Sequence, residues 1–298
     1  MEQDLYKPYI YAAKEEHIGK PFSYLKHVLS QFRQSKQAVF CLSILGFLFL
    51  LSILGPWISP YTYYGISLES RNLSPCLSHF LGTDDLGRDL LTRLCLGIRI
   101  SLFVGVAAAL IDLVIGVWYG MIAAFLGKQF DQWMMRFCDI LDTIPFFLIV
   151  ISLMVVIGPG LSTIILAMCL TSWIPMARIV RTQILATKSK EYVHAAQTLG
   201  AGFFRILVRY LFPSAISPMI VTMTLTIPTA IFTEAILSFL GLGVQIPIAS
   251  LGTLASDGLS SLRYYPWRLF FPAGMICLII FAFNQIADAL KDALDPKT

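Results

Sequence analysis

Charge is scarce in this sequence. Asp, Glu, Lys and Arg fill 13% of its 298 positions, against roughly 25% in a soluble domain. That shortage excludes an ordinary water-exposed fold, and a net charge of +4 is too small for a nucleic-acid binder. Histidine is nearly missing. His17, His27, His79 and His194 fall in a tail and in loops. No HExxH or ligand-spaced His/Cys cluster occurs, which argues against a metal-centred enzyme. Cys41, Cys76, Cys95, Cys138, Cys169 and Cys277 are scattered without a CxxC pair and read as small buried hydrophobes. No GxxxxGK(S/T) motif is present, so the chain offers no phosphate-cradling loop for ATP. The first residues lack the short apolar core of a cleavable signal. A polar, lysine-bearing tail comes first instead, and the first apolar segment is expected to act as an uncleaved anchor.

Apolar length is what the chain has in excess. Hydrophobic residues make up 57% of it, with a mean hydropathy of +0.73. Crossing roughly 30 Å of hydrocarbon at 1.5 Å per residue takes about 20 apolar residues. Six stretches meet that length: 38–58, 101–125, 137–157, 161–179, 210–240 and 269–289. The expected fold is therefore an all-α membrane protein of about six transmembrane helices. The chain divides into a tail (1–37), a first helix (38–58), an outer segment (59–100), a five-helix core (101–290) and a second tail (291–298). Positive charge is retained in the cytoplasm. With both termini inside, sixteen of the 22 Lys and Arg fall on the inner side. Only Arg71, Arg88, Arg93, Arg99, Arg263 and Arg268 fall outside.

The core contains one sizeable inner loop, 182–209. Within it Ser189 is a candidate helix cap, and Gly200 a candidate left-handed terminator. Between them Tyr192, Ala195, Ala196 and Leu199 recur at helical spacing, giving a short amphipathic surface helix with two alanines that permit close approach. A second short helix, 203–207, leads to Pro213. The first helix packs on its own bundle or the headgroups, or it receives another protein.

The run His194-Ala195-Ala196, followed by Gly200 and Pro213, resembles the "EAA" loop of ABC-transporter permeases. His194 stands where that family often has Glu, and Glu191 lies one turn earlier. The resemblance covers about residues 30–296 and is most specific to the "C" permease subunit of oligopeptide/dipeptide importers. Its outer hallmark is similar to the run from Leu81 through Gly82, Thr83, Asp84, Asp85, Gly87, Arg88 and Asp89 to Arg93. Asp131, Met135, Arg136, Asp139 and Pro145 resemble the opening of the family's third span. Ser172, Trp173, Pro175, Ala177, Arg178 and Arg181 resemble its entry to the loop. The run from Glu234 to Gln245, and Pro266, Trp267, Phe271, Pro272, Phe283, Asn284, Asp288 and 292–296, match its later signatures. Leu251 replaces a usual Trp, and Ala287 a usual Gly.

The resemblance implies a type I ABC-importer permease in a bacterial inner membrane, forming half of a pathway for peptides delivered by an extracytoplasmic binding protein. It implies a homologous second permease subunit and two ATPase subunits as partners. ATP and magnesium would be used by those subunits, with no cofactor bound by this chain and no catalysis by it. Glu191, Tyr192, His194, Ala195, Ala196, Leu199, Gly200 and Phe203 would carry the coupling to the ATPase. Nickel or another small solute is an alternative cargo. An ion-driven transporter is the competing class, although no inverted repeat is evident.

A carboxylate within a bilayer is costly and must face protein or water. Asp139, Asp142 and Asp288 lie near inner ends and are expected to pair with arginines such as Arg136 or Arg178. Asp112 and Glu234 are the pathway candidates, each serving either helix–helix bonding or substrate contact. Outside, Thr83 or Asp84 is expected to cap a helix with Asp85 at its positive end, the alternative being contact with the binding protein.

Overall fold

Without water, a helix is the means by which a single apolar run satisfies every backbone N–H and C=O, and helices are what form. The computed structural model describes residues 24–294, with the side chains from residue 28 onward except that of Phe203. In chain order the helices are α1 (Tyr24–Gln34), α2 (Lys36–Ile58), α3 (Leu90–Ile111), α4 (Val117–Leu126), α5 (Lys128–Thr143), α6 (Phe146–Ile157) and α7 (Leu161–Thr171). Then follow α8 (Ile174–Lys188), α9 (Glu191–Thr198), α10 (Phe203–Ile206), α11 (Phe212–Phe239), α12 (Leu251–Ser260) and α13 (Trp267–Leu294). A π turn at Asp112–Gly116 joins α3 to α4, and another at Leu207–Leu211 leads into α11.

Among the described residues, five helical stretches are long and apolar enough to cross a membrane: Lys36–Ile58, Leu90–Leu126, Leu161–Lys188, Phe204–Phe239 and Trp267–Leu294. They match five of the six expected spans. The second begins eleven residues before its expected start because its arginines find partners. Arg93 is buried against Asp84, and Arg99 donates to the Ser52 carbonyl of α2 at 2.6 Å. The expected third span, 137–157, is not a single helix. α5 and α6 meet at 77°, because Pro145 pushes Ile144 out of the helical region to ψ 120°. At 12 residues, α6 rises only about 18 Å, too little to cross alone. The stretch 1–37, expected to be a tail, contains α1, whose Val28 packs on Ala293 and Leu294 of α13. Residues 1–23 and 295–298 lie outside the described residues.

Among the apolar cores of the described residues, the two largest hold the bundle at separate places. Leu45, Leu48, Leu94, Ile98, Leu254 and Ile279 join α2, α3, α12 and α13. Met121, Val180, Ile184, Val193, Leu211 and Ala215 join α4, α8, α9 and α11. At the second core, Gly116 and Gly120 let α4 lie directly on α8. A Cβ at Gly120 would collide with the Ala177 carbonyl, and one at Gly116 with that of Trp173. This is the small-residue contact expected where no water drives helices together. The most apolar windows of α2 and α13 are only 22% and 17% buried. Their outward Phe40, Phe47, Phe270 and Phe281 leave those faces to lipid or another subunit.

The segment before α3 is held by buried charge. Asp89, rather than Thr83 or Asp84, caps α3, accepting from the Thr92 N–H at 2.9 Å. Asp84 accepts from the N–H groups of Leu86 and Arg88, both at 2.9 Å, and faces the guanidiniums of Arg88 (2.6 Å) and Arg93. Burial pushes the Asp84 carboxyl up, but the Arg88 N–H and the Arg93 and Arg88 charges outweigh it and hold it below the usual range. Asp85 pairs with Arg268 of α13 at 3.2 Å.

Candidate functional site

The inner loop forms α9, eight residues long and isolated between α8 and α10. Its N-cap is Lys190, without a side-chain bond. Ser189, expected in that role, instead donates to the Ala186 carbonyl at the end of α8. Glu191 sits in the first turn, where the helix dipole favours an acid. The C-terminus closes as expected at Gly200. With φ at +80° it sends its N–H to Gln197, while the Ala201 N–H returns to the Ala196 carbonyl at 3.0 Å. That paired geometry is a Schellman motif, and it needs a residue free to adopt a left-handed φ.

The stripe Tyr192, Ala195, Ala196 and Leu199 does not act as one face. Ala196 is 6% exposed and turns inward with Val193, which packs in the core of α4, α8 and α11. Tyr192, His194 and Ala195 face outward, as does Leu199 at 88% exposure. Two adjacent stripes thus share the helix: Val193 and Ala196 hold it to the bundle, and Tyr192, Ala195 and Leu199 remain uncovered. The Val193–Ala196 pair went unread in the sequence, although its i, i+3 spacing was visible. Phe203 opens α10, and its side chain lies outside the described residues. Beside α9, Lys188 donates to the terminal carbonyls of α4, Ala124 (3.3 Å) and Phe125 (3.2 Å), a cation at a negative helix end.

A cavity of about 620 Å³ opens within the bundle. Its walls come from α3 and its π turn (Ala108, Asp112), the α5–α6 break (Leu141–Phe146), the α7–α8 junction (Met168–Pro175) and α11 (Thr222–Thr233). Of the two pathway candidates only Asp112 reaches it. Its Oδ2 accepts from Thr226 at 2.7 Å, and the Ser172 hydroxyl bonds to the same carboxyl, with Oδ1 and Ser172 Oγ both sealed from solvent. Glu234 does not line the cavity. It is fully buried and accepts from Ser101 (3.0 Å) and Ser238 (2.6 Å), so its work is to tie α3 to α11. Arg178 bridges Asp142 (2.8 Å) and Asp139 (3.1 Å), the pairing expected of those acids, and Arg181 pairs with Asp131. The sequence marks Ser172 only as part of a family motif and does not single out the α11 threonines, although Thr222, Thr226, Thr229 and Thr233 recur at helical spacing.

A bundle with a cavity at a broken helix and a short surface helix between two spans is a transporter-like arrangement, and comparison with known proteins gives its family. The family model for the "binding-protein-dependent transport system inner membrane component" matches residues 116–298. The chain belongs to that family. A second model, the "N-terminal TM domain of oligopeptide transport permease C", matches residues 23–75 of the permease. The permease is 54% identical over 278 residues to the oligopeptide transport system permease protein OppC of Bacillus subtilis, covering 93% of this chain and 91% of that one. It is 51% identical to the dipeptide transport system permease protein DppC of the same organism, over 92% of this chain and 86% of the relative. Against OppC of Escherichia coli strain K12 the figures are 42% identity, 90% of this chain and 89% of the relative. Among solved structures, an inward-facing MetNI methionine ABC transporter matches at a TM-score of 0.56 and 17% identity, over 67% of this chain and 94% of the other. A likeness at that identity bears on the fold alone. The expectation of an ABC-importer permease of the oligopeptide/dipeptide branch, multi-pass in the inner membrane, is met.

Proposed function

We propose that this permease forms half of the pathway of an ATP-driven peptide importer, fed by an extracytoplasmic binding protein and worked by separate ATPase subunits that dock on α9. The observation that carries this reading is the division of α9. On its inner stripe Val193 is embedded in the core shared by α4, α8 and α11, and Ala196 is also buried, whereas its outer stripe is bare. A protein closing on Tyr192, Ala195 and Leu199 pushes a short rod that cannot move without its bundle. The displacement passes through Val193 to α8, and through α10 and the second π turn to α11. Both long helices wall the cavity. Packed helices shift between discrete arrangements rather than deforming continuously, so the push alternates access to the cavity.

Sidedness supports the same reading. Lys188, Lys190, Arg205 and Arg209 surround α9 in sequence, which favours the cytoplasmic side for it, where ATPase subunits reside. The uncovered faces of α2 and α13 suit lipid and a homologous second permease subunit. ATP and magnesium belong to the ATPases, and this chain conducts rather than hydrolyses. Peptide as cargo rests on the names of its relatives. In vesicles holding the whole assembly, trialanine uptake is expected to stop on ATP depletion and to survive collapse of the ion gradients. Uptake that follows a gradient instead would exclude the proposal.

A further inference from the structure

We infer that Gln183, Thr187 and Ser214 form a clip that positions α8 and α11 as one unit, so that a push on α9 moves both helices together instead of prying them apart. This deepens the peptide-importer reading and rests on it. α9 and α10 lie on the stretch of chain between Lys188, the last residue of α8, and Phe212, the first of α11. Thr187 stands at one foot of that stretch and Ser214 at the other. The Thr187 hydroxyl, on a residue 1% exposed, donates to Ser214 Oγ at 2.8 Å. Ser214 Oγ donates in turn to the Leu211 carbonyl at 2.7 Å. One turn earlier on α8, the Gln183 side-chain amide donates to the Ser214 carbonyl at 3.1 Å.

Pro218 explains why that carbonyl is available. In an α-helix the Ser214 C=O would accept from the N–H of residue 218, and a proline inside the helix has none. An orphaned carbonyl beside an apolar core is costly, and Gln183 answers it from the neighbouring helix. Around the clip, Val180 and Ile184 of α8 share one apolar core with Leu211 of the π turn and Ala215 of α11. Apolar contact is non-directional and would let the helices slide or part. The two bonds that cross between the helices are directed, so they fix the height of α8 against α11. The bond from Ser214 to Leu211 fastens the clip to the π turn through which α10 reaches α11. A load on α9 thus enters a loop whose feet are pinned. It is delivered at once to both walls of the cavity, Pro175 on α8 and the threonines of α11.

The test uses the whole assembly with binding protein in proteoliposomes. It reads trialanine taken up per ATP hydrolysed, alongside melting of the purified assembly. Thr187→Val keeps the shape of the side chain and removes its proton, while Ser214 retains the Leu211 carbonyl. Gln183→Met keeps the length and removes the amide. The double variant is expected to co-purify with the ATPase and hydrolyse ATP, yet to import at least about fivefold less per ATP, the low end of the coupling that two sites carry. Thr187→Ser retains the hydroxyl and should keep the wild-type ratio. Thr182→Val, which removes a hydroxyl that donates to the Arg178 carbonyl of its own helix, should keep it too. If the double variant does not assemble, Thr187→Val alone is read in the same way. An unchanged ratio, an equal fall in Thr182→Val, or a fall in Thr187→Ser as large as in Thr187→Val would overturn the clip. So would a fall in Thr187→Val that comes only with lost melting temperature or lost assembly, since the contact would then be a structural tie alone. Wild-type vesicles without ATP-driven uptake would sink the importer reading, whereas wild-type uptake with a ratio unmoved by these variants sinks only the clip.

Discussion

Replacing Asp84 by Ala should be the most damaging single change outside the membrane. Asp84 is buried and serves four donors: the N–H groups of Leu86 and Arg88 and the guanidiniums of Arg88 and Arg93. Without it, Arg88 loses its carboxylate. Arg93, also buried, is left with Asp257 at 3.8 Å, while its Nε already lacks a partner. Breaking one side of a buried ion pair costs about 3–5 kcal/mol, and each lost backbone bond adds about 1 kcal/mol. At about 2 °C per kcal/mol, the lower end of the range for large domains and the fitting one for 298 residues, melting should fall by about 10 °C or more. The assay is fluorescence-detected melting of the detergent-purified chain, with Asp85→Ala as control. Asp85 is half-exposed, and the buried Arg268 keeps Asn72 and Ser261 as partners, so losing that pair costs about 1 kcal/mol or less. The two variants melting together, or Asp84→Ala melting with the wild type, would refute this account of the outer segment. The folded carboxyl is held below its unfolded value, so its stabilisation is complete above the ordinary carboxylate range. It is lost only as pH falls through the lowered value. Melting at pH 7 and pH 5 should therefore show the same gap between wild type and variant.

Four further substitutions have expected outcomes. Ala195→Trp, on the uncovered stripe of α9, should leave melting within about 0.5 kcal/mol of wild type yet prevent co-purification with the ATPase. Ala196→Trp should instead overpack the bundle by about 1–3 kcal/mol, so comparison of melting and co-purification for the pair checks which stripe faces which way. Gly200→Val should cost about 1–3 kcal/mol in melting from backbone strain alone, because nothing lies within 4 Å of its added Cβ. Glu234→Gln should keep peptide uptake in vesicles, since both carboxylate oxygens are occupied by serines away from the cavity. Lost transport with assembly intact would return Glu234 to the pathway.

Hydropathy located the spans because apolar length is a local property, readable without a partner. The break at Pro145 was visible as a residue but not as a bend, since whether proline kinks a span or divides it depends on what packs around it. The site of α9 and its glycine stop were legible from spacing and from the left-handed residue that its end requires. Its two faces were not. The stripes 192/195/199 and 193/196 are both helical, and only contact with α4, α8 and α11 shows which one is already buried. The sequence offers Thr83 or Asp84 as a local cap because Arg93, the second partner of Asp84, is nine residues away. Asp89 lies immediately before α3, where the cap belongs. Asp112 and Glu234 looked alike in the sequence. Their difference lies in hydroxyls brought from distant segments, Thr226 for one and Ser101 for the other.

The most direct test of the account is the accessibility of residue 199. Leu199→Cys would be built in a chain whose exposed cysteines, Cys76 and Cys277, are replaced by Ser, and probed with a membrane-impermeant maleimide in inside-out vesicles. Labelling should be rapid when the ATPase subunits have been stripped away and blocked when they are restored. Equal labelling in both preparations, or reaction only from the opposite side of the membrane, would contradict a motor acting through α9.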